Sequence, residues 1–503
     1  MSSITRRSVL LAGLGVTGAG VLGGCSKPSS STAAASPSLL SPSGAEVETV
    51  DGARASSGKE THLVLTAAPA TVDLGAGVIA KTWAFDHRTP GEAIRISAGD
   101  TLVAGLANGL PDQTATSIHW HGVALRNDMD GVPPATQAVV PAGESFTYRF
   151  VATDPGTYFF HPHVGTQLDR GLYAPLVIED PKEPMSYDGE WIVVLDDWMD
   201  GVSGTPDEVL AELKQGMGGM GGMSMRFMLG SADSELLGGD AGDVKYPHHL
   251  VNGRVPADPA VFNGKPGSRV RLRIINAGSD TAYRVALAAH KLTITHTDGY
   301  PVQHQQVDAL LIGMGERYDV LVTLGDGVFS LVALAEGKNQ TGRALVRTST
   351  GRAPATDVRP AELNRQILTA SQLNAADQVR LAASSVDVTH QVKITGGMDA
   401  YDWSINGSRF DMSHPTAAPL LVRHGQRVRL DFVNDTTMWH PMHLHGHTYQ
   451  LGDAGPRKDT AIVLPKTTLT VFFDADNPGQ WLLHCHNAYH AEAGMMALVG
   501  YQQ

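Results

Sequence analysis

Two His-x-His pairs in the first third of the chain return near its end at almost the same spacing. His119-Trp120-His121 and His161-Pro162-His163 are matched by His443-Leu444-His445 and His484-Cys485-His486. His119 to His443 spans 324 residues and His161 to His484 spans 323. Side chains on a strand alternate between faces, so each pair sets two imidazoles on one face, ready to chelate. The flanking text repeats as well. Asp154-Pro155-Gly156-Thr157-Tyr158-Phe159-Phe160-His161 aligns with Asn477-Pro478-Gly479-Gln480-Trp481-Leu482-Leu483-His484, and Ala98-Gly99-Asp100 with His424-Gly425-Gln426. This pattern predicts two copies of one β domain with their histidine strands in equivalent places. Between them, Lys265-Pro266-Gly267-Ser268-Arg269-Val270 repeats the strand-turn phrase in a block without any His-x-His. That block is expected to be a metal-free copy that brings the outer two together.

The rest of the text is β. Short apolar runs at His62–Leu65, Ile94–Ile96, Phe146–Val151, Tyr158–Phe160 and Leu172–Ile178 are separated by Gly, Pro and Asp turns. The same holds for Trp191–Leu195, Arg269–Asn276, Tyr283–Thr297, Asp319–Leu324 and Phe329–Ala335. Helical periodicity is scarce, with one short candidate at Asp207–Lys214. The expected fold is all-β: three β-sandwiches over 61–185, 186–350 and 386–503, with a polar connector over 351–385.

Residues 1–24 read as an export signal: Arg6-Arg7 precedes a short apolar run, the twin-arginine pattern. The run is too short and Gly-rich to span a membrane. It ends at Leu22-Gly23-Gly24-Cys25, which resembles a lipobox and would leave Cys25 lipidated at the cell envelope; cleavage with release is the alternative. Residues 25–60, rich in Ser, Ala, Pro and Gly, are expected to form a flexible linker. The net charge of −13, with no internal basic run, excludes nucleic acid as a partner class and leaves a lipid at Cys25 as the one membrane contact.

Cys485 is the second of two cysteines and has no disulfide partner if Cys25 is lipidated. It lies between His484 and His486, which share the opposite strand face, so one peptide connects metal ligands on both sides. His490 and Met495 follow five and ten residues on. Cys, His and a weak thioether make a blue-copper ligand set, which His440 completes. The four His-x-His pairs supply eight further imidazoles. If the copies face each other these converge on one interdomain cavity and suit three coppers, two with three histidines and one with two. Zinc fits poorly, because its sites take four ligands and no such set is isolated here. Adjacent His248-His249 shows no comparable pattern.

On the motifs HWHG, HPH, HPMHLHGH and HCHNAYHAEAGM, the chain after residue 60 resembles the multicopper oxidases, and most of all three-domain actinobacterial enzymes linked to copper resistance. Similar phrases are ALRNDMDG (124–131), LDDWMDG (195–201), HTDGYPV (296–302), LIGMGERYDV (311–320) and RKDTAIVLP (457–465). The resemblance implies cupredoxin-like Greek-key domains and four coppers. His119 and His443 would hold the type 2 copper. His121, His161 and His486 would hold one type 3 copper, and His163, His445 and His484 the other. His440, Cys485 and His490 would hold the type 1 copper, with Met495 axial. Electrons would pass from Cys485 through His484 or His486, and dioxygen would be reduced to water. Asp130 matches a position that assists proton delivery, although before Gly131 it is also an ordinary turn residue. The acid that often follows the last type 1 histidine is absent: Ala491 stands there, with Glu492 next.

For the electron donor, Met217, Met220, Met223, Met225 and Met228 lie in a Gly-rich run. Thioethers favour Cu(I), and a filler loop is the plain alternative. Asp459 would sit beside the type 1 site as an outer Cu(I) ligand, with an ordinary strand-end Asp as the equal alternative, and the type 1 histidines are expected to offer an exposed edge to phenols. These signs point to an oxidase of Cu(I), with Fe(II), phenols and aromatic amines as further donors, acting in copper tolerance. A laccase with an organic donor and a copper-sequestering lipoprotein without turnover are the alternatives.

Overall fold

The computed structural model describes residues 38–216 and 225–503. Apart from one two-stranded pair, its strands form six sheets, two in each of three consecutive blocks. In the first block, Val78–Phe85, Glu60–Gly75, Thr101–Asn108 and Ser145–Val151 make one sheet. Ile94–Ser97, Ala174–Glu179, Gly156–His161 and His119–His121 make the other. Alternation decides what is buried: Ile94 and Ile96 point inward while Arg95 between them is exposed. Leu102, Leu106 and Phe150 of one sheet share a core with Trp120, Phe160 and Leu176 of the other.

The middle block has two six-stranded sheets over its own separate core, including Val193, Leu272, Val285, Val320 and Leu331. The third block has a six-stranded sheet and a five-stranded one ordered Leu420–Val422, Met496–Tyr501, Gln480–Cys485, His440–Leu444, Thr460–Val463. The duplication is kept in the register. His119 lies opposite His161 in the first block, and His443 lies opposite His484 in the third.

Three α-helices occur among the described residues: α1 (Ala45–Gly52), α2 (Pro206–Leu213) and α3 (Ala488–Ala493). Helix α2 is the predicted one. Thr205 and Glu208 close a capping box at its start, with Pro206 at the first turn. Among the described residues, no helix is long and apolar enough to cross a membrane.

Three expectations need correction. The run Tyr283–Thr297 is two strands, Tyr283–Leu287 and Leu292–Thr297, which belong to different sheets of the middle block. The turn between them rests on Ala289 at φ 62°, an alanine where the usual signal would be glycine or asparagine. The polar connector is partly incorporated, since Ile367–Leu368 pairs with Ala309 and Leu310 of the middle block. The linker is also shorter than its composition suggests. Leu40 donates to the Tyr501 carbonyl at 2.8 Å, α1 buries Val47, and Ser57 donates to Gly99 at 2.7 Å. A few apolar and polar anchors are enough to dock a segment whose average composition is that of a tether. Residues 1–37, with the twin-arginine and Cys25 readings, lie outside the described residues.

Candidate metal centre

The eight histidines of the four pairs come together between the first and third blocks. His119 Nε2 lies 3.4 Å from His443 Nε2. His484 Nε2 lies 3.4 Å from His163 Nε2 and 3.1 Å from His445 Nε2. His121, His161 and His486 group with ring centroids 4.8 to 5.8 Å apart. All eight side chains are buried, apart from His163, which is half-buried.

The second nitrogen of most rings is anchored, which fixes both tautomer and orientation. His119 Nδ1–H donates to the Asp130 carbonyl at 2.9 Å, His161 Nδ1–H to the Pro162 carbonyl at 2.9 Å, and His443 Nδ1–H to the Asp459 carbonyl at 3.0 Å. His445 Nδ1–H donates to Asp130 Oδ2 at 2.9 Å. His121 is the reverse case. Its Nε2–H faces Asp459 Oδ1 at 3.1 Å and its Nδ1 is left free.

The remaining nitrogens have nothing to bond among the described residues. His121 Nδ1, His161 Nε2 and both nitrogens of His486 are buried without a partner, and the others face only one another. Leaving such groups unmet costs about 1–3 kcal/mol each. Burial, helped by neighbouring imidazoles, pushes the pKa of His121, His161, His163, His445, His484 and His486 well below the usual histidine value. These rings are therefore neutral, as metal ligands must be. Unmet lone pairs aimed inward from neutral rings fit a group of metal ions with nitrogen preference, copper included.

A second set lies in the third block alone. His440 Nδ1 and His490 Nδ1 are each 3.7 Å from Cys485 Sγ and 3.1 Å from each other. Met495 is buried beside them, its backbone bonded to Cys485 and His490. Outward, His440 Nε2 meets Thr436 Oγ1 at 2.9 Å and His490 Nε2–H donates to Asp243 Oδ2 at 2.9 Å. Burial opposes charge on His490, but the Asp243 carboxylate outweighs it and raises the pKa to about 10, so this ring gives up its Nδ1 proton when it takes a metal. The outer nitrogens are thus engaged, and both Nδ1 atoms face the thiol.

Asp130 serves as a turn residue and also touches the site. Gly131 after it has φ 78°, and a Cβ there would lie 1.8 Å from the Ile118 carbonyl oxygen. Its Oδ2 holds His445 while Oδ1 lies 3.2 Å from His119 Nδ1, so one carboxylate joins rings of two blocks.

Asp459 is not where it was expected. It lies against His121 and His443, fully buried, and is held by Arg317 through two bonds of 2.7 and 2.6 Å. Such a carboxylate is a packed charge partner and not a surface ligand for Cu(I). Gly122 of the HWHG motif makes room for it: a Cβ there would come within 2.5 Å of Asp459 Oδ2. Both partners lie inside the phrases LIGMGERYDV and RKDTAIVLP, but neither phrase shows that they meet.

The edge of His440 and His490 that was expected to face phenols is also closed. His440 is 0% and His490 1% exposed. Trp403 lies over His490 at 4.4 Å and His440 at 5.2 Å between ring centroids, and Tyr401 donates to Asp243 at 2.8 Å. Nothing in the sequence marked Asp243, Tyr401 or Trp403, because the cover is assembled from separate blocks. Of the methionine run, Met217, Met220 and Met223 lie outside the described residues. Met228 is buried and Met225 half-buried against the core, so these two pack and do not stand out as free thioethers. Met228 bridges Val244, next to Asp243. Burial raises the pKa of Glu492, against the opposing charge of Lys214.

Three multicopper oxidase family profiles match residues 66–183, 190–351 and 385–502. The multicopper oxidase MmcO of Mycobacterium tuberculosis is 48% identical over 508 residues, covering 99% of this chain and 96% of that protein. A copper resistance protein A homologue of Pseudomonas syringae pv. tomato is 29% identical, over 81% of this chain and 86% of that protein. Among solved structures, Fet3p, described as a multicopper oxidase that functions in iron import, superposes with a TM-score of 0.74 at 20% identity. That match covers 88% of this chain and 90% of that one, and it shows the shared cupredoxin-like fold.

Proposed function

The chain belongs to the multicopper oxidase family, and we propose that it oxidises Cu(I) at the expense of dioxygen in copper tolerance. Four coppers per chain are proposed, in the type 2, type 3 and type 1 sets named from the motifs. When bound, copper supplies one-electron oxidation at the Cys485 site and four-electron reduction of dioxygen to water at the histidine cluster. The observation that carries this reading is the set of inward-facing nitrogens without partners among the described residues.

The residues account for the rest. Cys485 is held between two histidines of the cluster, so its backbone and the His484 ring connect the sets. Storage alone would need no such connection, which argues against a sequestering protein. Asp130 reaches His445 and lies beside His119, where it can hold a proton next to the cluster. Asp243 orients His490 through Nε2.

The choice of Cu(I) over a phenol rests on the closed type 1 edge. An aromatic ring has no open face of His440 or His490 to stack on, whereas a small cation needs only a carboxylate route. Asp243 provides its inner end and exposed Asp240, which bridges Met438 beside the site, its outer end. Comparing kcat/KM for Cu(I) and a phenol tests this; a higher value for the phenol would reassign the enzyme as a laccase with an organic donor. Export through Arg6-Arg7 and anchoring at Cys25 are part of the proposal. Arg6 and Arg7 changed together to lysine should leave precursor in the cytoplasm, and wild-type protein that fractionates wholly as soluble would remove the anchor.

A further inference from the structure

The segment 38–57 connects the two blocks that share the histidine cluster. At one end Leu39 bridges Gln502 and Leu40 bonds Tyr501, on the edge of the third block. Gln480, on the strand that carries His484, donates to the Leu40 carbonyl at 3.0 Å. At the other end Ser57 bonds Gly99 and Asp100 of the first block, at 2.7 and 2.8 Å.

Between these ends, Arg54 follows α1 with its side chain 11% exposed and its Nε 3.2 Å from Asp51. Its Nη1 donates to the Ala124 carbonyl at 3.0 Å, three residues past His121. Its Nη2 donates to Asn477 Oδ1 at 3.0 Å. Asn477 Nδ2 donates to the Gly446 carbonyl, next to His445, at 2.9 Å, and to the Leu125 carbonyl at 3.0 Å. One planar guanidinium thus spans the loop after His121 in one block and, through Asn477, the loop after His445 in the other. A forked donor fixes the distance between two acceptors; an ammonium, as a point charge, does not.

The eight histidines divide four and four between these blocks, so small changes in their separation act on shared metal sites. The Cys485 set lies entirely in the third block. We propose that Arg54, carried by this strap, is a positioning residue for the copper cluster, holding the two histidine-bearing loops at the spacing at which their imidazoles share metal. This rests on the four-copper reading above.

The test is copper release. Wild-type protein, Arg54→Ala and Arg54→Lys are loaded with copper and dialysed against a chelator, with metal content and blue absorption followed in parallel. Arg54→Ala is expected to lose the cluster copper at least tenfold faster than wild type while keeping its blue absorption. Arg54→Lys should show the same selective loss to a smaller degree, and it decides the matter if the alanine variant does not fold. Release at the wild-type rate in the variants, or loss of blue absorption in step with the cluster copper, overturns the inference. A wild type that binds fewer than four coppers overturns the four-copper reading instead, and is seen before any variant is compared.

Discussion

The His484 ring donates its Nδ1–H to the carbonyl oxygen of Cys485, 2.8 Å away. The imidazole facing the cluster is therefore joined to the thiol residue twice, through the peptide and through a hydrogen bond. The donation also fixes the tautomer that leaves His484 Nε2 toward His163 and His445.

Cys485→Ser should separate the two metal sets. A serine hydroxyl keeps the shape but is a poor soft ligand, so the blue absorption and oxidase activity should vanish. Copper content should fall from four to three per chain, because the cluster histidines keep their anchors. Metal analysis with an absorption spectrum checks this, and a fully loaded but colourless wild type would sink the type 1 assignment.

Asp319 should act as an acid-sensitive support between the first and middle blocks. It accepts from Thr157 Oγ1 at 2.6 Å and Arg271 Nη2 at 2.6 Å, with Arg273 Nη1 at 3.2 Å, all buried. Burial works against its charge, but the two guanidiniums prevail and hold its pKa far below the carboxylate range. A depressed folded pKa gives stability that is present above the unfolded value, near 4, and lost as pH falls below it. Asp319→Asn should cost about 3–5 kcal/mol near neutral pH, because two buried arginines lose a partner. In chemical unfolding, the gap between wild type and variant should narrow progressively below about pH 4. A gap independent of pH would mean that the carboxylate charge is not what matters.

The copper-binding text was legible because it is local: each His-x-His is a two-residue offset on one strand, and the paired copies have the same register. What was hidden depends on distant meetings. Asp459 needs Arg317, 142 residues away, to be read as a buried pair. Asp243 needs His490, 247 residues away, and Arg54 needs Asn477, 423 residues away. None of these has a periodicity to reveal it. The split of Tyr283–Thr297 was hidden for another reason, since Ala288-Ala289 looks like strand text until the chain changes sheets.

Tyr401 should decide which donors reach the proposed type 1 site. It is fully buried at φ 47°, a costly conformation for a side chain of its size, and its hydroxyl is bonded to the carboxylate that holds His490. Tyr401→Ala should raise kcat/KM for a phenol at least about tenfold, equivalent to about 1.4 kcal/mol, by opening a face of the site. Tyr401→Phe keeps the ring in place and should leave phenol turnover low. Equal phenol kinetics in all three proteins would show that the cover lies elsewhere.

The methionine run should divide into two functions. Met228 is 8% exposed and bridged to Val244, and Met225 packs half-buried against the same core, so both contribute packing. Met228→Ala should cost about 2–5 kcal/mol and lower the melting temperature. Its effect on Cu(I) kinetics should follow only from that loss of stability. Changing Met217, Met220 and Met223 together to serine should leave the melting temperature unchanged and raise KM for Cu(I). Serine keeps the chain length and removes the soft sulfur, so a rise in KM isolates ligation from length. Phenol oxidation and the blue absorption should stay the same, since none of the three is an assigned copper ligand. If Cu(I) kinetics do not respond to the triple change, the run is filler. Entry of Cu(I) would then rest on Asp240 and Asp243 alone, and replacement of Asp240 by alanine would become the measurement that decides between Cu(I) and an organic donor.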